Sequence, residues 1–217
     1  MDEKILESAR QESMEGNTLS DSDFKHIIDE YKSTLDIPDR RLSPQILICP
    51  VGLVGAGKST VLNPICKKLP LVRIATDEIR KLLQEKGFNF LRTREIAKFL
   101  FHEFLTDGHS VVADADCIDR EVQEYVQVLK DEFSLLVVWI HINSPEEFII
   151  QKLTHFKHTW LFRNAAHAIE VYHKRKPLHE AYLKDVRFYF TFDPSKNDID
   201  KQVASFLENL HRDFAIE

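Results

Sequence analysis

The spacing of apolar residues divides this chain into two unequal parts. Between Asp21 and Leu35, the residues Phe24, Ile27, Ile28, Tyr31 and Leu35 recur at helical intervals, behind a Ser20/Asp23 pair that resembles a capping box. Pro38 and Pro44 then punctuate the chain. From Gln45 onward, short apolar runs alternate with amphipathic stretches. Gln45–Val51, Leu71–Ala75, Ser110–Ala113, Leu135–Ile142 and Arg187–Phe192 predict five strands. Helices are predicted from the first Gly-rich turn to about Leu69, and over Asp77–Lys86, Arg92–Thr106, Arg120–Glu132 and Ile199–Leu210. A further helix opens at Ser144-Pro145-Glu146-Glu147, with Ser as N-cap and Pro at the first position. The run LLVVWIHI is nearly all apolar, as a strand covered on both faces must be. Strands separated by helices imply parallel crossovers, and so an α/β sheet with helices on both faces.

The 217 residues suit one domain with an appendage. With 43% hydrophobic and 29% charged residues the composition is that of an ordinary globule. The net charge of −6 falls on residues 1–40, which hold 11 Asp/Glu and 5 Lys/Arg, whereas the remainder is balanced. The expected division is therefore an acidic helical extension, 1–41, and a main α/β domain, 42–217. A dominant nucleic-acid footprint would be basic, so a nucleic-acid end is not the favoured partner. No apolar run is long enough to span a membrane. The start, MDEKILESARQESMEG, lacks the pattern of a secretory signal. Three cysteines, Cys49, Cys66 and Cys117, show no metal-type spacing, which points to a reducing cytoplasm.

Chemistry is concentrated at the strand ends. Gly52-Leu53-Val54-Gly55-Ala56-Gly57-Lys58-Ser59 fits G-x-x-x-x-G-K-[ST], between a strand and a helix. A triphosphate must be wrapped by backbone N–H groups, and glycine leaves room for that approach. Gly52, Val54, Gly55, Ala56, Gly57, Lys58, Ser59 and Thr60 are the expected nucleotide contacts. Lys58 places a charge on the β and γ phosphates, and Ser59 offers a hydroxyl to Mg²⁺. After the second strand, Asp77 and Arg80 share a helix face; Asp77 could accept a proton from a hydroxyl and Arg80 could hold an anionic acceptor. After the third strand, Asp114 stands where an acid orients Mg²⁺, with Asp116 able to substitute. A basic stretch from Lys152 to Lys176 suits a mobile cationic lid, with Arg163 as its first candidate and Lys157 second. Lys174, Arg175 and Lys176 read as a solvated face on a helix ending before Pro177. Cys117 has no adjacent base and reads as packing, and His155, His158 and His167 do not form a metal motif.

Together these motifs resemble the P-loop kinases that include polynucleotide 5′-hydroxyl kinases and zeta toxins, an AAA-type P-loop kinase-like domain, from Gln45 to about Leu210. The resemblance implies a three-layer P-loop NTPase fold with a five-stranded parallel sheet in the order 2-3-1-4-5 and a helical lid. It also implies that Asp77 is the general base and that Arg80 grips the acceptor. Relatives often read D-A-[TS]-N where this chain has Asp114-Ala115-Asp116-Cys117, and the lid is poor in arginine. The expected activity is ATP- and Mg²⁺-dependent transfer of the γ-phosphoryl group to a hydroxyl of a small or nucleotide-like acceptor. A P-loop ATPase or switch, or a degenerate nucleotide-binding module, is the alternative.

Overall fold

The computed structural model describes residues 16–155 and 161–216. Lys157 and His158 lie outside the described residues. The elements, in chain order, are α1 (Asp21–Lys32), β1 (Ile46–Val51), α2 (Lys58–Lys68), β2 (Leu71–Ala75), α3 (Thr76–Glu85), α4 (Thr93–Thr106) and β3 (Ser110–Asp114). They continue with α5 (Arg120–Phe133), β4 (Leu136–Ile142), α6 (Glu146–Thr154), α7 (Ala165–Tyr182), β5 (Phe190–Phe192) and α8 (Ile199–Phe214). The five strands form one parallel sheet in the order β2-β3-β1-β4-β5. This is the three-layer P-loop order that the motifs imply.

Period-two alternation sorts the sheet's side chains into two cores. Leu47, Cys49 and Val51 of β1 face one side with Val72, Ile74, Val111 and Ala113, and there meet Ile27, Ile28 and Tyr31 of α1, Ile79 and Leu83 of α3, Ile96 and Leu100 of α4, and Val126 and Leu129 of α5. Ile46, Ile48, Val112, Val138, Ile140 and Ile142 face the other side, against Leu62 and Ile65 of α2, Ile149 of α6, Tyr172 of α7, and Phe206 and Leu210 of α8. Burial on both faces explains why β1 has no polar residue. Pro50 is tolerated in this central strand because the β1–β3 pairing has ended at Ile48–Val112. Beyond that point the Cys117 N–H donates to the Pro50 carbonyl at 3.0 Å.

Several local expectations shift. β5 starts at Phe190 rather than Arg187, because only Ile140–Ile142 of β4 face it. Ser144 does not cap α6; Pro145 takes the cap position, and the Ser144 hydroxyl donates to the Ala56 carbonyl at 2.8 Å. Helix α7 does not end before Pro177 but runs through it to Tyr182. A proline costs a helix one hydrogen bond; here Tyr172 and His179, on either side of it, are both buried and hold the helix together. Ser20 behaves as expected, its hydroxyl accepting the Asp23 N–H at 3.2 Å.

Helix α1 is built into the first core. Its Tyr31 hydroxyl accepts the Ala75 N–H at 2.9 Å and lies 3.4 Å from the Ala75 carbonyl. Burial pushes the phenol's pKa well above the ordinary tyrosine value. Ala75 is the last residue of β2 and precedes the Thr76-Asp77 turn, so the acidic extension braces a strand end two residues from a candidate site residue. No helix among the described residues is long and apolar enough to cross a membrane. Tyr31→Phe leaves the buried Ala75 N–H without its partner and should lower unfolding stability by about 1–3 kcal/mol, read from urea denaturation.

Candidate active site

The P-loop fills the gap between β1 and α2 at the carboxyl edge of the sheet, where open α/β sheets bind ligands. Two glycines are required there by backbone shape: Gly55 and Gly57 have φ of 81° and 98°, the left-handed region. Gly52 is required by space, since a Cβ would come 2.9 Å from the Ile142 carbonyl oxygen. The loop is pinned from several directions. Its Ala56 N–H donates to Leu53 O at 3.1 Å, Ser144 holds the Ala56 carbonyl, and the Lys58 ammonium donates to Gly52 O at 2.7 Å and Leu53 O at 3.2 Å. Gly57 occupies the N-cap of α2 with no side-chain cap bond. The free N–H groups of the first turn, with exposed Ser59 and Thr60 beside them, therefore face an incoming anion.

Two acids follow β3, and the structure gives them different partners. The Asp114 carboxylate is buried and taken by Arg73, whose Nε donates to it at 2.8 Å. Burial alone would lower the Arg73 pKa, but Asp114 and Glu78 raise it beyond the ordinary guanidinium value. Asp116 reaches the P-loop itself: its Oδ1 accepts the Gly52 N–H at 3.1 Å. Its Oδ2 lies 3.3 Å from Nδ1 of the buried His179 on α7. Burial would raise the Asp116 pKa; the His179 imidazole, the Lys58 charge and the Gly52 N–H outweigh that and hold the carboxyl below its ordinary range. Asp116, not Asp114, is thus the acid in contact with the P-loop.

Asp77 and Arg80 lie on the first two turns of α3, at the edge of β2, with one strand (β3) between them and β1. They form an ion pair at 2.7 Å, with Asp77 the more exposed partner. Burial lowers the Arg80 pKa against the pull of Asp77, and the charges of Arg175 and Arg94 lower it further. Arg163 sits on an exposed stretch before α7, where its backbone N–H donates to the His167 ring at 3.3 Å. A lysine also stands against the P-loop: Lys152, in the last turn of α6. Its ammonium stands 3.4 Å from where a Cβ on Gly57 would lie, and 4.7 Å from the Phe148 ring centre. Burial lowers its pKa, and it has no carboxylate partner among the described residues. Cys117 is a packing residue, as read from sequence: it is fully buried, and its hydrogen bond with Cys49 together with burial raises the thiol's pKa well above normal. Cys66 is half-buried, and desolvation pushes its thiol up to about 12.

The motifs assign no weight to His179, Arg73 and Tyr31, read Asp116 only as a substitute for Asp114, and read Lys152 only as the start of a basic stretch. One signal was available for Arg73. A cation inside the apolar strand LVRIA, on the same face as a strand-end acid two positions further along the neighbouring strand, requires a carboxylate partner.

A parallel sheet in this order, with an intact P-loop after its central strand, defines a P-loop kinase-like protein. The chain belongs to the AAA domain family, whose model matches residues 47–155. Among solved structures it is similar to one from the PezAT chromosomal toxin–antitoxin system of Streptococcus pneumoniae, with 17% identity over 89% of this chain and 97% of the other, at a TM-score of 0.51. It is also similar to a candidate kinase of Chloroflexus aurantiacus, with 15% identity over 78% of this chain and 97% of the other, at a TM-score of 0.53. At these identities the likeness is one of fold. No curated protein matches the chain.

Asp114→Asn should cost about 3–5 kcal/mol of stability in urea unfolding, because it leaves Arg73 underpaired, yet change nucleotide affinity less than about threefold. Loss of nucleotide binding by a folded Asp114→Asn protein would return Asp114 to the metal site. Lys152→Met should weaken binding of a fluorescent ADP analogue by more than about tenfold, the loss of a charged contact worth on the order of 1.5–3 kcal/mol, without lowering stability.

Proposed function

We propose that the protein is an ATP-dependent phosphotransferase acting on a hydroxyl-bearing small-molecule or nucleotide-like acceptor. The observation that carries this reading is the Asp77–Arg80 pair, placed one strand away from an intact P-loop on the same sheet edge. A nucleotide switch needs the P-loop but has no use for a carboxylate–guanidinium pair at that position. In this reading Gly52–Thr60 wrap the triphosphate with N–H groups, and Lys58 turns from the loop carbonyls to the β and γ phosphates.

Mg²⁺ prefers phosphate and water ligands with one or two protein oxygens. The structure fits that demand: Ser59 is exposed at the start of α2, and Asp116 presents an acid whose ionised form is favoured at the loop. These two residues would hold the ion, which neutralises charge on the β and γ oxygens. Asp114 supports them indirectly, through its bond to Arg73.

Asp77 accepts the acceptor's hydroxyl proton. The hydroxyl oxygen then forms its bond to the γ-phosphorus as the bond to the β–γ bridging oxygen breaks, and ADP departs with that electron pair. Arg80 orients the acceptor, Lys152 adds charge at the P-loop rim, and Arg163 closes from the lid segment. We place this machinery in residues 42–217, with residues 1–41 as an extension that braces the β2 end through Tyr31.

ADP formation from ATP and Mg²⁺, measured with and without a panel of hydroxyl acceptors, tests the reading. Acceptor-dependent turnover supports it; acceptor-independent hydrolysis, or binding with no turnover, favours a switch or a degenerate binder. Asp77→Asn keeps the size of the side chain but removes the base, so nucleotide affinity should hold while transfer falls by roughly 10²-fold or more.

A further inference from the structure

Helix α7 runs through Pro177 and carries His179 to the P-loop. His179 is only 5% exposed, and its Nδ1 has no hydrogen-bond partner among the described residues. Asp116 Oδ2 stands 3.3 Å away, but off the line of a hydrogen bond. The other carboxylate oxygen, Oδ1, is already fixed by the Gly52 N–H at 3.1 Å. A buried nitrogen left without a partner is costly. This one is left so beside a carboxylate oxygen, next to the first glycine of the phosphate loop.

Asp116 Oδ2 and His179 Nδ1 suit a shared ion in spacing and in chemistry. Two ligands about 2.1 Å from one ion, and about a right angle apart, stand roughly 3 Å from each other. The observed separation of 3.3 Å opens that angle slightly. A neutral imidazole nitrogen beside a carboxylate binds first-row transition ions, whereas Mg²⁺ takes oxygen and gains little from nitrogen. The Lys58 ammonium, 2.7 Å from the Gly52 carbonyl, opposes a bare cation here. Once that ammonium turns to the phosphates, nucleotide oxygens can complete the shell. No group of three or more His, Cys, Asp or Glu fit to hold a metal occurs among the described residues, so the ion needs the nucleotide. The nearby imidazole of His141, on β4, is engaged elsewhere: it stacks on the Phe188 ring at 4.7 Å.

We infer that, with nucleotide bound, Asp116 Oδ2 and His179 Nδ1 together ligate a divalent transition ion, which the site holds in preference to Mg²⁺. Ser59 and Asp116 suffice for Mg²⁺; the imidazole is the added ligand that selects the softer ion. Phosphoryl transfer asks the ion to neutralise charge on the phosphates, which either ion does. The same ligation ties α7, the helix behind the lid segment, to Gly52 when ion and nucleotide are both present. This inference rests on the nucleotide reading of the P-loop and not on the identity of the acceptor.

The test uses the full chain with ADP, and Mn²⁺ as the probe. Pulsed electron paramagnetic resonance of the Mn²⁺·ADP complex should show a directly bound histidine nitrogen, identified by the change in modulation when the histidines carry ¹⁵N. Calorimetry should show a preference for Mn²⁺ over Mg²⁺ roughly tenfold above that of free ADP. His179→Asn should lose the nitrogen signal and return the preference to the free-ADP value, with metal-free ADP affinity within twofold of the parent. His141→Gln should keep both signal and preference. ADP binding with no histidine nitrogen on the ion overturns the inference and leaves the nucleotide reading intact. A signal that survives in a folded His179→Asn protein, or disappears in His141→Gln, also overturns it. If His179→Asn fails to fold, the ¹⁵N change in the parent and its retention in His141→Gln decide. No ADP binding by the parent sinks the nucleotide reading, and this inference with it.

Discussion

A polyphosphate can be bound by backbone N–H groups only where no side chain stands in the way, and the rest of the structure is arranged around that requirement. The loop that supplies those groups has three glycines in six positions, two of them left-handed and one pressed against the Ile142 carbonyl. Such a segment has little stiffness of its own. The surrounding protein provides it: Ser144 at Ala56, Lys58 across Gly52 and Leu53, and Asp116 at Gly52. Each support comes from a different element, and parallel β1 between β3 and β4 is what brings those elements to one edge. The sheet order is therefore part of the binding site.

The same logic places the amino-terminal helix. β2 is an edge strand, and the end of an edge strand frays easily without a partner on its outer side. Tyr31 supplies one by holding the Ala75 backbone, immediately before the turn that carries Asp77. An acidic, separable-looking segment thus acts on the position of a candidate base through a neutral phenol. Its surface carboxylates have no part in that role; its buried Ile27, Ile28 and Tyr31 do.

The strands and helices were legible because each carries its own periodicity. The apolar runs set β1 to β4 within a residue at either end, and the P-loop stood out because its glycines and lysine are a local pattern. What could not be read depends on partners distant in sequence. Pro177 looked like a helix end, yet α7 continues because Tyr172 and His179 are buried on either side of it. Ser144 looked like a cap because it precedes a proline and two acids, but its hydroxyl is used 88 residues away on Ala56. Lys152 looked like one member of a basic run until α6 folded it against Gly57.

The two acids after β3 show how neighbouring residues at a strand end come to have different partners. Inside a strand, residues two apart share a face, so Asp114 and Asp116 appear interchangeable in sequence. The strand ends at Asp114, and the chain turns there: the Ala115 N–H donates to Ala113 O at 2.8 Å, and the Cys117 N–H crosses to Pro50 of β1 at 3.0 Å. That turn carries Asp116 off the β3 face and over β1, to Gly52, while Asp114 keeps the strand's direction and meets Arg73 from β2. A charge buried beside a sheet must be paired, and the nearest opposite charge differs for the two residues because β3 lies between β2 and β1. The division of labour between a structural acid and a P-loop acid follows from strand order and a single turn, neither of which is written in the tetrapeptide itself.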